Sequence, residues 1–176
     1  MTRLLNRLPD EHSREATSTI RPPARTVLVA TDGTPSSSPA VEKGLSMAQE
    51  LGARVTFVFA YRPPWAALGK PFYQRSLRKR LAVAREALDE AKAAANAFGV
   101  DADYEIVEGK PASAIAHLAA ARDVDLVVVG SREFTNPAAA LCGSVSRSVV
   151  GRSDRAVLVA KGGRRSKSWA LRFLVA

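Results

Sequence analysis

The chain has 176 residues, 47% hydrophobic and 24% charged, with a formal net charge of +9 at pH 7 and a pI of about 10.3. That length and balance suit one folded domain with a real core and exclude a disordered chain. No apolar run approaches the ~18 residues of a membrane span, and the single cysteine, Cys142, excludes an intrachain disulfide.

The first 24 residues read as a polar, disordered tail that runs up to Arg25. It mixes Arg3, Arg7, Arg14 and Arg21 with Asp10, Glu11 and Glu15, and it has no apolar stretch of the kind a secretory leader needs. With one cysteine and no leader, a cytoplasmic setting is expected. Thr26 to Ala30 is a short, continuous apolar run, the mark of a strand buried on both faces. Thr31-Asp32-Gly33 turns the chain. Ser38-Pro39 opens a helix whose apolar positions Val41, Leu45, Ala48 and Leu51 keep helical spacing, and Gly52 stops it. Val55 to Ala60 is the second strand, and Tyr61 to Pro71 is an irregular loop.

Phe72 to Ala97 is a long helix with the stripe Leu77, Leu81, Ala84, Leu88, Ala91, Ala95 and Phe98, one apolar face against a sheet. Gly99 ends it. Ala102 to Val107 is a third strand, and Pro111 opens a short helix through Ile115, Leu118 and Ala119. Asp125 to Val129 is a fourth strand, Gly143 to Val150 a fourth helix and Ala156 to Ala160 a fifth strand. Strand and helix alternate throughout, so the economical architecture is α/β with a parallel sheet and right-handed crossovers.

The charge is uneven. Lys161, Arg164, Arg165, Lys167 and Arg172 lie near the end with no acid among them, and Arg75, Arg78, Lys79 and Arg80 form a second cluster. Both read first as solvated surface. A nucleic-acid module would interleave aromatics with its cations, and aromatics are only 6% here, so nucleic acid is not the expected partner. A basic tail binding nucleic acid or anionic lipid remains a third hypothesis, marked by steep salt dependence. Residues 162–176 form a basic and apolar tail with Trp169, Leu171, Phe173, Leu174 and Val175, which suits docking on the body or a partner.

In open parallel sheets, ligands bind beyond the carboxyl ends of the strands where strand order reverses. Two strand ends here carry unusual residues: Ala30-Thr31-Asp32-Gly33 after the first, and Gly130-Ser131-Arg132 after the fourth. A second pair, Gly143-Ser144, opens the fourth helix. If the two strands are neighbours, Asp32 faces the Gly130 loop across a crevice. There it can accept hydrogen bonds from a ribose or a base, while glycine backbone holds phosphates. Asp32 as a turn residue or helix cap, and Gly130 and Gly143 as plain turn glycines, stay open beside that reading. There is no Walker loop and no three-glycine dinucleotide fingerprint. His12 and His117 read as surface residues, and Cys142 as a small filler rather than a thiol activated by a helix start. No serine has a recognisable paired base, so a hydrolytic triad is not expected.

These residues carry a resemblance. The chain resembles the universal stress protein family from about Arg25 to Lys161, through Val27 to Gly33, Gly109-Lys110-Pro111-Ala112, Asp125 to Arg132, Gly143-Ser144-Val145-Ser146 and Ala156 to Ala160. The resemblance implies a three-layer α/β sandwich of the adenine-nucleotide alpha-hydrolase-like type. Its five-stranded parallel sheet has the order 3-2-1-4-5, with helices on both faces. It also implies an ATP-binding stress-response module, with Mg²⁺ accompanying ATP, and a homodimer formed through the last strand. By resemblance, Asp32 meets the ribose or base, and Ala30, Thr31 and Ala60 line the pocket. Gly130, Ser131, Arg132, Glu133, Gly143 and Ser144 surround the phosphates. Glu133 stands where the ATP-binding motif has its second glycine. A carboxylate ~4 Å from a phosphate charge costs about 4 kcal/mol at an effective dielectric of 20, roughly a thousandfold in affinity. Three arrangements relieve it: Glu133 turned outward, Glu133 paired with Arg132, or Glu133 holding Mg²⁺. No general base stands out, so the chain is expected to be no enzyme, with at most slow ATP turnover. The rival reading is a nucleotide-free, dimeric protein-interaction module.

Overall fold

The computed structural model describes residues 26–65, 67, 69–131 and 144–161. In chain order these form β1 (Thr26–Ala30), α1 (Ser38–Leu51), β2 (Arg54–Tyr61), α2 (Lys70–Phe98), β3 (Ala102–Glu108), α3 (Pro111–Ala121), β4 (Leu126–Gly130), α4 (Ser144–Val150) and β5 (Ala156–Ala160). All four strand pairings are parallel, and the sheet order is β3-β2-β1-β4-β5. This is the expected 3-2-1-4-5 sandwich. The first and fourth strands are neighbours, with Val27 opposite Leu126 and Val29 opposite Val128.

The strand sequences explain the three layers. Successive side chains point to opposite faces, and here both faces are apolar. Val27, Val29, Val55, Phe57 and Val128 pack with Leu45, Ala84 and Leu88 of α1 and α2. Leu28, Val58, Val127 and Val129 pack with Ile115, Ala119 and Val149 of α3 and α4. Each fully buried Val, Leu or Phe contributes about 1.5–3 kcal/mol, so the central strands hold the fold. Phe57 and Tyr104 extend the packing to the edge, stacked with ring centroids 5.7 Å apart.

The elements end where their sequences say they should. Gly52 and Gly99 are left-handed caps at the ends of α1 and α2. The long helix starts at Lys70 rather than Phe72, because Pro71 fits the first turn instead of closing the loop before it. At the amino edge of the sheet, Asp125 clamps β1 to β4. Its carboxylate accepts from the backbone N–H and the hydroxyl of Thr26, each at 3.2 Å, and its own N–H donates to the Thr26 carbonyl at 3.0 Å. Asp125 thus precedes β4 as a brace instead of opening the strand.

One expectation about α2 needs correction. Its stripe from Leu77 to Phe98 reads as one apolar face against the sheet. The buried residues are Ala84, Ala87, Leu88, Ala91, Ala94 and Ala95, all in the second half. Leu77 and Leu81 are only half-buried, and Phe72 keeps 67% of its surface exposed. The first half of the helix rises past the edge of the sheet.

Candidate functional site

The site begins where β1 ends. Thr31 is still tied to the sheet, its N–H donating to the Val58 carbonyl at 3.0 Å. Beyond it the chain is held by its own side chains. The Ser37 hydroxyl donates to the Thr34 carbonyl at 2.9 Å. That uses its one proton, so the Thr31 hydroxyl, 3.2 Å away, is the donor to Ser37. Thr31 in turn accepts from the Gly33 N–H at 3.3 Å. Asp32 folds back on the same turn, its Oδ1 accepting from the Thr34 N–H at 3.1 Å and the Thr34 hydroxyl at 2.5 Å. Such side chain-to-backbone closure is what an aspartate in a turn does best. It fixes the carboxylate at the mouth of the cavity rather than removing it from there.

β4 delivers Gly130 directly against this loop. A Cβ on Gly130 would stand 2.3 Å from the Ser36 carbonyl oxygen and 2.9 Å from the Ser37 Cα. Its φ is not left-handed. The glycine is therefore required by the approach of two backbones, one of which carries the serine loop into the site. The next residue, Ser131, is 1% exposed and donates its N–H to the Ala160 carbonyl of β5 at 2.9 Å. Its hydroxyl has no hydrogen-bond partner among the described residues.

Between these strand ends lies a cavity of about 610 Å³, within the ~300–1,000 Å³ typical of small-molecule sites. Of the residues expected at the site, Ala30, Thr31, Asp32, Ala60, Gly130 and Ser144 all line it, while Ser131 sits behind the wall. Arg132, Glu133 and Gly143, and with them Cys142, lie outside the described residues. The floor is apolar, built from Val58, Val129 and Ile115, with Val83 and Val145 at the sides. Ser36, Ser37 and Ser146 supply hydroxyls. Tyr61 stands at the rim. Its hydroxyl donates to Glu108 at 2.8 Å, and that bond is the main cause that holds the phenol above its ordinary value.

Sequence reasoning missed one wall. Arg62, Ser76, Lys79 and Arg80 also line the cavity. Lys79 and Arg80 belong to the cluster read as solvated helix surface, and they are placed here by the overhang of α2. A signal was present in the sequence. From Arg62 to Arg85 there are seven basic residues and no acid, the first carboxylate being Glu86. Among the described residues lining the cavity, three cations thus face one carboxylate, Asp32.

An apolar floor, a hydroxyl-bearing loop and a cationic wall stand at the junction of β1 and β4 in an α/β domain of the adenine-nucleotide alpha-hydrolase-like fold. The universal stress protein family matches residues 23–161, and the chain belongs to that family. The "universal stress protein in QAH/OAS sulfhydrylase 3′ region" of Thermus aquaticus is 34% identical over 137 residues, which are 78% of this chain and 98% of its own length. A universal stress protein solved in complex with cAMP is 35% identical, with a TM-score of 0.56 over 78% of this chain and 96% of that one. A family member from Arabidopsis thaliana solved with AMP bound shares the fold, with 19% identity and a TM-score of 0.62 over 82% of this chain and 95% of that one. Among the described residues no helix is long and apolar enough to cross a membrane.

Proposed function

We propose that this chain is an adenine-nucleotide-binding stress-response module of the cytoplasm, with ATP as its ligand, acting by occupancy rather than by turnover. One observation carries the reading. The cavity at the carboxyl ends of β1 and β4 offers an apolar floor for a flat base and cations for phosphate, in a relative of a protein solved with cAMP. The base lies over Val58 and Val129. Asp32, held in place by Thr34, accepts from the ribose or the base. Gly130 lets the serine loop close on the nucleotide. Occupancy then orders the loops around the site, and partner binding follows.

The residues present fit magnesium as a counter-ion carried on nucleotide phosphates. Asp32 is the one carboxylate on the cavity wall among the described residues, and no cluster of three or more His, Cys, Asp or Glu that could hold a metal occurs among them. A phosphate-borne Mg²⁺ needs no more than one or two protein carboxylates.

The same reading makes the module a homodimer through β5. That strand lies at the sheet edge, its sequence Ala156–Ala160 is wholly apolar, and Val157, Leu158 and Val159 are only half-buried. Apolar edges of this kind ask for cover. Light scattering over a range of protein concentration tests it, and a constant protomer mass would remove the dimer.

Titration calorimetry with Mg-ATP at moderate salt tests the nucleotide reading. Saturable binding in the micromolar range is expected. No heat up to millimolar ATP would leave the interaction-module reading in its place.

A further inference from the structure

We propose that the first half of α2 makes this cavity a reader of phosphate charge, so that affinity rises with the number of negative charges on the nucleotide. The proposal rests on the adenine-nucleotide reading above and adds the residues that choose among nucleotides. Lys79 and Arg80 line the cavity from α2, and Arg62 lines it from the end of β2. Among the described residues none of the three has an ion-pair partner. Asp32, the carboxylate across the cavity, is held by Thr34.

Nothing in the packing of the helix asks for these cations. No residue of α2 before Ala84 is buried. The helix accepts repulsion to carry its charges: Arg75 repels Arg78 at i,i+3 and Lys79 at i,i+4, and Lys70 sits in a first turn that favours acids. A salt-bridged surface helix would interleave acids at those spacings, as the second half does with Asp89, four residues after Arg85 and three before Lys92. The serines of the cradle are neutral and offer hydrogen bonds without charge. The family motif adds no net cation, because the charge of Arg132 is offset by Glu133, which stands at its second glycine. Charge that a polyphosphate brings into this cavity is therefore met from Arg62 and α2. Lys79 serves as a mobile point charge and Arg80 as a rigid fork that can bridge two phosphate oxygens.

Calorimetry of the full chain against ATP, ADP, AMP, cAMP and adenosine at one ionic strength tests this. The expected order of affinity is ATP, ADP, AMP, cAMP, adenosine. In K79A/R80A the affinity for ATP should fall by about a hundredfold, roughly tenfold per charge-assisted contact, while adenosine binds as before. R75A/R78A removes the same charge from the same helix at positions that do not line the cavity, and it should bind ATP within about twofold of the parent. This control separates contact from the general field of a basic protein. Equal affinity for ATP and adenosine in the parent chain overturns the charge reader and leaves the nucleotide site standing. So does equal weakening of ATP and adenosine by K79A/R80A, or an equal loss of ATP affinity in the control. If neither ATP nor adenosine binds the parent chain, the nucleotide reading itself falls.

Discussion

Ala84 to Phe98 of α2 is alanine-rich, lies against β2 and β3, and buries Ala84, Ala87, Leu88, Ala91, Ala94 and Ala95. Lys70 to Val83 buries no residue and carries Lys70, Arg75, Arg78, Lys79 and Arg80. Small side chains let the second half approach the sheet closely. Charge and length let the first half stand over the cavity. One continuous helix thus couples a rigid anchor to one wall of the cavity, and its position relative to that cavity is set by packing at the far end. Gly33 marks the junction. Its φ is +71°, and a Cβ built on it would meet the Ala87 Cβ at 2.9 Å, so the turn after β1 is the surface on which α2 is seated.

If that division holds, damage to the anchor should cost stability, and damage to the wall should cost ligand. The largest effect is expected at Leu88, the one leucine of the anchored half, which is 8% exposed. Leu88→Ala should lower unfolding free energy by about 2–5 kcal/mol, seen as a fall in the urea midpoint at constant slope. A midpoint unchanged from the parent would show that the anchor is not where the helix is held.

Gly33→Ala strikes both halves. The strained φ and the contact with Ala87 should cost about 1–3 kcal/mol. Because the turn carries Asp32 and seats α2, ATP affinity should fall as well. Thermal melts paired with calorimetry would reveal a break in the comparison if stability fell and binding did not.

K79A/R80A, by contrast, should leave stability within about 0.5 kcal/mol of the parent, with a slight gain as repulsion with Arg75 is relieved. A loss of several degrees in the melting temperature would make these residues part of the anchor.

The smallest effect concerns the rim. The hydrogen bond to Glu108 raises Tyr61 above the ordinary 10.0, so the folded chain holds this proton more firmly than the unfolded one. That contribution is complete below the unfolded value and is lost as pH rises through the raised one. Tyr61→Phe should therefore flatten the fall in stability as pH rises from below 10.0 to above it. Denaturant midpoints on both sides of that value check it, and a parallel fall in the two proteins would remove the effect.

Much of the fold is legible in the residues alone. Five apolar runs of strand length, the helix stops Gly52 and Gly99, and the turn after Ala30 locate nearly every element to within two residues of its place. Order and spacing along the chain also bring Asp32, Gly130 and Ser144 to one site. The reasons for individual residues were less legible. Asp32 reads as a turn residue or as a ligand contact, and it closes the turn on Thr34 while lining the cavity. Gly130 reads as a phosphate glycine, yet its immediate necessity is the Ser36 carbonyl. No local pattern announces a contact between residues 94 positions apart.

By itself, the sequence determined the alternation of strands and helices, the apolar character of both sheet faces and the acid-free run from Arg62 to Arg85. These follow from nearest-neighbour chemistry and from periods of 2 and 3.6 residues. Only the tertiary structure decided which part of that run lines the cavity. The stripe of α2 continues through Leu77 and Leu81 at unbroken helical spacing, and a period carries no mark of where the sheet beneath it ends. Length decides that. The 29 residues of α2 rise about 43 Å, while the 8 residues of β2 span about 26 Å. With Ala87 seated on Gly33 at the carboxyl edge of the sheet, the turns before it have no sheet left to cover, and Lys79 and Arg80 come to rest beside the cavity.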